Sequence, residues 1–406
     1  MFEQALSDIR VLDMSWHIAG PYCTRLLADY GAEVLKVERP GEGDPIRQAG
    51  PFPNDEPDPE KSGLFLHLNT NKMGITLNLK DETGKAILKE LVKESDLLIE
   101  SFSPHVMPSL GLDYQTLQQI NPKLVMLSIS NFGQTGPYRD YKATEIVHQA
   151  MGGEMYSQGT ETREPLKLGG NVTQYQAGTL ASVAALGALF GARSRGEGQH
   201  VDISIMETAA GGGDRRAAYI LAYLGAGVVT DRWAPPRETV RYMFMPSGVY
   251  PCSDGFVNTL SMPTWWPRYV KLLGMPELAD DPRFSNVYQS DSGPEFEAIW
   301  IGWLMDHTKE EVLEACIENR VATAPVNNAE DVVNYHHLKE RGYFTEVDHP
   351  RAGEITQTGA PFKMAQTPWQ LRRAAPLLGE HNEEVFGGRL KYSADDLKEL
   401  SRKGVI

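Results

Sequence analysis

Short apolar runs alternate with helical periodicity through the first half of the chain. Residues 9–14 (IRVLDM) read as a buried strand, Gly20-Pro21 as punctuation, and 22–30 (YCTRLLADY) as a helix. Gly31 suits a helix end, and 33–38 (EVLKVE) returns to strand alternation. The cycle repeats with strands at 74–79 (GITLNL), 96–100 (DLLIE) and 124–130 (LVMLSIS), and helices at 83–94 and 113–121. Asp113 stands where an N-cap belongs. Strand–helix–strand units of this length predict a parallel, doubly wound α/β sheet, with the loops after its strands lining one crevice.

The weakly polar run 177–192 (AGTLASVAALGALFGA) is rich in small residues and 16 long, too short for a bilayer span. It predicts a tightly packed, buried helix, followed by a turn at 193–198 and a strand at 200–205. Gly211-Gly212-Gly213 reads as a hinge, since no strand–turn–helix context supports a dinucleotide fingerprint, and 231–239 as linker. Beyond it come a hairpin at 249–257 turning at Asp254-Gly255 and helices at 266–273, 294–305, 309–319 and 328–341. A polar, Pro-rich tail leads to a closing helix at 393–403, with Ser393 as N-cap. The division expected is 1–224 for a large domain, 225–330 for a smaller α+β domain and 331–406 returning to the first.

Charge narrows the partners. The 406 residues carry 39 Lys+Arg against 54 Asp+Glu, a net −15, which disfavours nucleic acid but leaves room for a small anion at a local basic site. The first residues show no signal-peptide pattern, and no membrane partner is expected; the reading is a soluble, cytoplasmic protein. Cys23, Cys252 and Cys316 are far apart and lack metal-site spacing, so neither a disulfide framework nor a metal or redox cofactor is expected. Cys23 falls within a predicted buried helix and reads as inert.

Six motifs, in order along nearly the whole chain, carry a family resemblance: 19–47 (AGPYCTRLLADYGAEVLKVERPGEGDPIR), 68–88, 97–138, 191–208 (GARSRGEGQHVDISIMET), 250–256 (YPCSDGF) and 375–385 (APLLGEHNEEV). Together they resemble the family III CoA-transferases. The resemblance implies a Rossmann-like large domain with an inserted smaller domain, and two chains interlocked as a dimer. It also implies transfer of coenzyme A from an acyl-CoA thioester to a carboxylic acid, through an anhydride and then a thioester on an enzyme carboxylate.

The same resemblance assigns residues. Arg39, Leu77 and Lys80 match positions that contact the CoA nucleotide, Phe102 an apolar contact, and Lys142 a second basic contact. His17 lies in the loop beside the CoA or acyl group, and Glu145 is retained near the active site. Arg39 and Lys80 read equally as solvated surface charges, and His17 equally as a structural histidine. His148 and Gln149 read as part of a helix beneath the site, and Trp265-Trp266 as core rather than pocket wall.

Three departures bear on chemistry. Gln174 occupies the position of the family's nucleophilic Asp, and no Asp or Glu occurs from Pro165 to Arg195. An amide has no anionic oxygen and cannot form the anhydride. Ser109 replaces an Arg, and Thr144 a Tyr. The racemases that share this fold need a His and an Asp that are also absent here. The chain therefore resembles the non-nucleophilic subunit of a heteromeric enzyme, whose partner is a homologous subunit carrying the catalytic Asp. Heteromeric members acting on succinyl-CoA and benzylsuccinate suggest an aromatic or dicarboxylic acid. A homodimeric lyase or hydratase using Glu145 as base, and a non-catalytic CoA-binding protein, are the other readings.

Overall fold

The computed structural model describes residues 4–159, 163–211, 214–229, 246–284 and 293–406. Gly212, Gly213 and the expected linker at 231–239 lie outside the described residues. The chain divides into two compact units, one of Met1–Met155, Lys167–Gly227 and Lys339–Ile406, the other of Tyr156–Leu166 and Val228–Leu338.

The first unit is built on six parallel strands: β1 (Arg10–Asp13), β2 (Glu33–Glu38), β3 (Lys72–Thr76), β4 (Leu97–Glu100), β5 (Val125–Ser130) and β6 (His200–Ser204). Their order is β3-β2-β1-β4-β5-β6. The chain winds outward from β1 in one direction, then crosses to β4 and winds in the other. That reversal opens a crevice at the C-terminal ends of β1 and β4, the usual place for a ligand in such sheets.

Alternate strand residues serve two cores, which is why the strands read as nearly continuous apolar runs. Leu12, Leu35, Leu98 and Met126 face one cluster with Ile87, Leu88 and Leu400. Val11, Val34, Ile99 and Leu127 face the other, with Cys23 and the alanines of a long helix. The helices of this unit are α1 (Ala19–Ala28), α2 (Gly63–Leu68), α3 (Glu82–Lys93), α4 (Val106–Ser109), α5 (Tyr114–Ile120), α6 (Glu145–Met151), α7 (Val172–Arg195), α8 (Ile205–Gly211) and α9 (Asp214–Ala226). Asp113 caps α5 as expected, accepting from the Thr116 N–H at 2.9 Å. Burial raises the Cys23 thiol far above its usual range, so it stays protonated.

Three boundaries differ from the sequence reading. Gly20-Pro21 lies inside α1, because Pro21 falls in the first turn, where an N–H has no helical acceptor anyway. α7 begins five residues before the small-residue run, which brings Gln174 into its first turn. β3 starts and stops earlier than 74–79, and Leu77 turns instead into the core below. α7 is long and apolar enough to cross a membrane, but Ala177, Ala181, Ala185 and Ala188 are buried in the fold. Small residues let α1 and α7 approach closely: a Cβ on Gly178 would stand 2.5 Å from the Ala19 carbonyl.

The 375–385 motif closes the sheet edge. His381 accepts from the Gly74 N–H through Nδ1 at 3.1 Å and donates its own N–H to the Gly74 carbonyl at 2.9 Å. Asn382 accepts from the Thr76 N–H at 2.9 Å. These bonds occupy edge groups that would otherwise template another strand. The tail also holds an antiparallel pair, Phe344–His349 with Gly353–Thr358, which the sequence reading missed, and the Ala394–Arg402 helix with Ser393 in a capping box.

The second unit carries an antiparallel sheet, β7 (Gly248–Cys252), β8 (Gly255–Leu260) and β9 (Ala322–Pro325), and helices Trp266–Leu273, Gly293–Met305 and Lys309–Asn319. The stretch expected as one helix at 328–341 is two, Ala329–Asn334 and His336–Glu340, because Tyr335 adopts extended backbone between them. Trp266 packs edge-on to Phe296 at 5.0 Å, within this unit's own core.

Candidate active site

Buried ions fix the loop after β1. Asp13 accepts from Lys72 Nζ at 2.9 Å, from the Ser15 N–H at 3.0 Å and from Thr24 Oγ1 at 2.6 Å. Burial opposes its charge, but Lys72 and Lys36 hold the carboxyl well below the usual range. Lys36 donates to Asp44 at 2.8 Å and to the Ser15 carbonyl at 2.5 Å. Asp44 in turn accepts the His17 N–H at 3.0 Å. His17 sits at φ 65°, a left-handed conformation that a non-glycine residue adopts at a cost of about 1 kcal/mol or more. Its side chain is exposed at the mouth of the crevice.

Two cavities meet there, of about 690 and about 710 Å³. Both are lined by Trp16, His17, Ser101, Phe102 and Ser103. Ser101 Oγ accepts the Trp16 N–H at 2.8 Å, joining the β1 and β4 loops. The Trp16 and Phe102 rings meet edge to face, 5.0 Å apart at 87°. This aromatic step divides the two spaces.

The first cavity takes residues from the loops after β2, β3 and β4. Arg39, Leu77 and Lys80 all line it, with His105 and Ser109 across the opening. Leu77 contributes only as a buried floor, whereas Arg39 and Lys80 are exposed. The Arg39 guanidinium lies 4.3 Å over the Trp16 ring and pairs with Glu42 at 2.8 Å. A stacked guanidinium and a lysine beside apolar walls can hold phosphates and a flat ring.

The second cavity is lined by Arg139, Tyr141, Lys142, Asn131, Asn171, Glu145 and Gln174. Lys142 thus follows β5 and lies in this space, apart from Arg39 and Lys80. Among the described residues lining this cavity, the one carboxylate is Glu145. Its Oε1 accepts from Gln149 Nε2 at 2.7 Å and the Thr173 N–H at 2.8 Å, and its Oε2 from the Gln174 N–H at 3.3 Å. Asn171, at the N-cap of α7, makes no side-chain cap bond. Glu145 therefore caps α7 from another helix, meeting two orphan donors and the positive end of the dipole. Gln149 accepts from the Leu168 N–H at 2.9 Å, which ties down the segment leading into α7. His148 is buried beside them, 3.1 Å from Asn131 Oδ1, and burial pushes its imidazole down toward the neutral form.

The structure thus brings His17, Phe102, Lys142, Glu145 and Gln174 around one cavity, and Arg39, Leu77 and Lys80 around its neighbour. Sequence reasoning missed Trp16, Ser101 and Arg139. Trp16 was legible as the residue beside His17 in the loop after β1, and Arg139 as a cation three residues before Lys142. Gln174 sits at the third position of α7 with its backbone held by Glu145 and its amide half-exposed. It can donate and accept hydrogen bonds but supplies no nucleophile.

Comparisons with known proteins find relatives along nearly the whole chain. The family model described as CoA-transferase family III matches residues 6–382. The chain is similar to a succinyl-CoA–D-citramalate CoA-transferase of Chloroflexus aurantiacus, 34% identical over 99% of this chain and 98% of the relative. It is also similar to the beta subunit of a succinyl-CoA–L-malate CoA-transferase of the same organism, 32% identical over 99% of this chain and 98% of the relative. Among solved structures, a CAIB/BAIF family protein from Brucella suis superposes with a TM-score of 0.82 at 28% identity, covering 95% of this chain and 99% of that one. The chain belongs to CoA-transferase family III.

Proposed function

We propose that this chain is the non-nucleophilic subunit of a heteromeric CoA-transferase that exchanges coenzyme A between dicarboxylic acids, succinyl-CoA among the donors. The observation that carries the reading is Gln174 in the first turn of α7, with both oxygens of the nearby Glu145 committed to N–H donors. A partner with Asp at the matching position would attack the thioester, and this chain would bind and orient substrate. Arg39 and Lys80 suit the CoA phosphates. His17, Arg139 and Lys142 suit a carboxylate at the far end of the acyl group, which favours a dicarboxylic acid over a purely apolar one. Both relatives carry succinyl-CoA and a second dicarboxylic acid in their names, and one is named as a beta subunit.

The outer side of α7 supports a partner chain. Leu180, Val183 and Phe190 recur along it, with Val183 64% and Phe190 74% exposed, an apolar stripe unusual on a free surface. An interlocked dimer, as in the family, would cover it. The homodimeric lyase or hydratase reading needs Glu145 as a free base, and three hydrogen bonds to its oxygens weigh against that.

The test is co-expression with a homologous chain that keeps the Asp. The pair should exchange CoA between succinyl-CoA and a second dicarboxylic acid, and the lone chain should not. With acyl-CoA and hydroxylamine, modification should fall on the partner alone. Full exchange by the lone chain, or a modified peptide from it, refutes the proposal.

A further inference from the structure

Glu100 ends β4 and leads directly into Ser101–Ser103, the segment shared by both cavities. Its side chain is buried, yet it differs from the buried carboxylates in and after β1 and β2. Asp13, Glu38 and Asp44 each pair with Lys or Arg, whereas Glu100 pairs with no cation among the described residues. It accepts the Phe102 N–H at 2.7 Å.

Ser128 stands directly opposite Glu100 on β5, and its Oγ lies 2.8 Å from His200 Nε2 on β6. The imidazole is exposed at the sheet edge and stacked on Tyr114, ring centroids 5.6 Å apart. Ser128 and His200 thus stand between the sheet edge and the carboxyl behind the cleft. Asp202, opposite Ser128 on β6, is the charge nearest along this face and accepts the Gln134 N–H at 2.9 Å. On the other flank Asp13 opposes Ile99, so it points to the other face of the sheet.

We propose that Glu100 is a proton-dependent positioning residue of the cleft. As a carboxylate it grips the Phe102 N–H and holds the segment that carries Ser101 and the Phe102 ring against Trp16. Protonated, it keeps a neutral and weaker bond. Burial, with Asp202 adding to it, pushes Glu100 up to about 7 against the opposing Ser128 hydroxyl nearby and the Phe102 N–H, so the switch falls in the neutral range.

The test reads the Phe102 amide of the full chain labelled with ¹⁵N-phenylalanine, its resonance assigned by its loss in Phe102→Leu. From about pH 8.5 to about pH 5.5 the wild-type amide proton should move upfield with a midpoint near Glu100's raised value, and in Glu100→Gln it should stay put. Ser128→Ala, which removes the hydroxyl opposite Glu100 that favours its charged form, should raise the midpoint. A wild-type amide that does not move, or one that titrates equally in Glu100→Gln, overturns the positioning role. A midpoint in Ser128→Ala at or below the wild-type value overturns the assignment of the titration to Glu100. None of these readouts depends on transferase turnover, so they stand or fall apart from the proposed function.

Discussion

Replacing Glu145 by Ala separates a helix cap from a catalytic base. The carboxylate is 7% exposed and accepts three N–H groups, from Gln149, Thr173 and Gln174. Truncation leaves three donors without a partner, at about 1 kcal/mol or more each, water from the adjoining cavity relieving part of it. It also removes a negative charge from the N-terminus of a 24-residue helix, about 1 kcal/mol more. The sum is about 3–5 kcal/mol, and at about 1.4 kcal/mol per decade the first turn of α7 should open roughly 10²–10⁴-fold more often. Hydrogen–deuterium exchange on a peptide covering 168–180 measures that opening, with a β5 peptide as internal control. Glu145→Gln should fall between, since its carbonyl still accepts but its amide faces a donor. Protection of the α7 peptide within threefold of wild type in Glu145→Ala would refute the cap. Unchanged protection in Glu145→Gln together with abolished turnover in the reconstituted pair would point to a base instead.

Other perturbations probe the frame and the cleft. Lys72→Met leaves Asp13 buried beside one lysine instead of two and should cost about 3–5 kcal/mol in urea unfolding, with Asp13→Asn/Lys72→Met less destabilised than the single change. Gly178→Val should cost about 1–3 kcal/mol by forcing α1 from α7, and an unchanged melting temperature would contradict that close approach. Glu100 rises from 4.5 to about 7 on folding, so the native state binds the extra proton and stability falls as pH rises between those values, by up to about 3 kcal/mol. Glu100→Gln should therefore raise the melting temperature more at pH about 8 than at pH about 5, and an equal shift at both would refute the assignment. In the reconstituted pair, Arg139→Ala should raise KM for a dicarboxylic acid about tenfold or more while sparing a monocarboxylic one, and equal losses for both would deny Arg139 the distal carboxylate.

The parallel sheet was legible because its strands are buried on both faces and so appear as apolar runs between helices. Where a run continued past the hydrogen-bonded register, the sequence misled: Leu77 is apolar because it fills the core from a loop, which made β3 look longer than it is. The strands Phe344–His349 and Gly353–Thr358 escaped for the opposite reason, being polar enough at most positions to read as tail. The reading of Gln174 at the nucleophile position rests on the resemblance alone, since it needs only a residue type at a position. The capping role of Glu145 was not, because its backbone partners lie 28 and 29 residues away and become neighbours only when α6 meets α7. Lys142 matched a basic contact in sequence, yet charge alone does not say which strand's loop, and so which cavity, it belongs to.

The retained cap gives the missing nucleophile its meaning. A site drifting out of use would be expected to lose its costly features together: the left-handed His17, the desolvated Asp13–Lys72 and Asp44–Lys36 pairs, and the buried Glu145. All of them are present, and each holds a backbone segment that faces the two cavities. The helix N-terminus that would stabilise an aspartate at 174 is still there, presented through the Gln174 N–H. On the proposed reading, the departure at 174 exchanges a group that reacts for one that hydrogen-bonds, beside those at Ser109 and Thr144. That combination fits a chain kept for binding and orientation, with bond-making assigned to a partner. It also means that Gln174→Asp meets a preformed cap rather than a disordered loop, so this variant should fold normally whether or not it turns over.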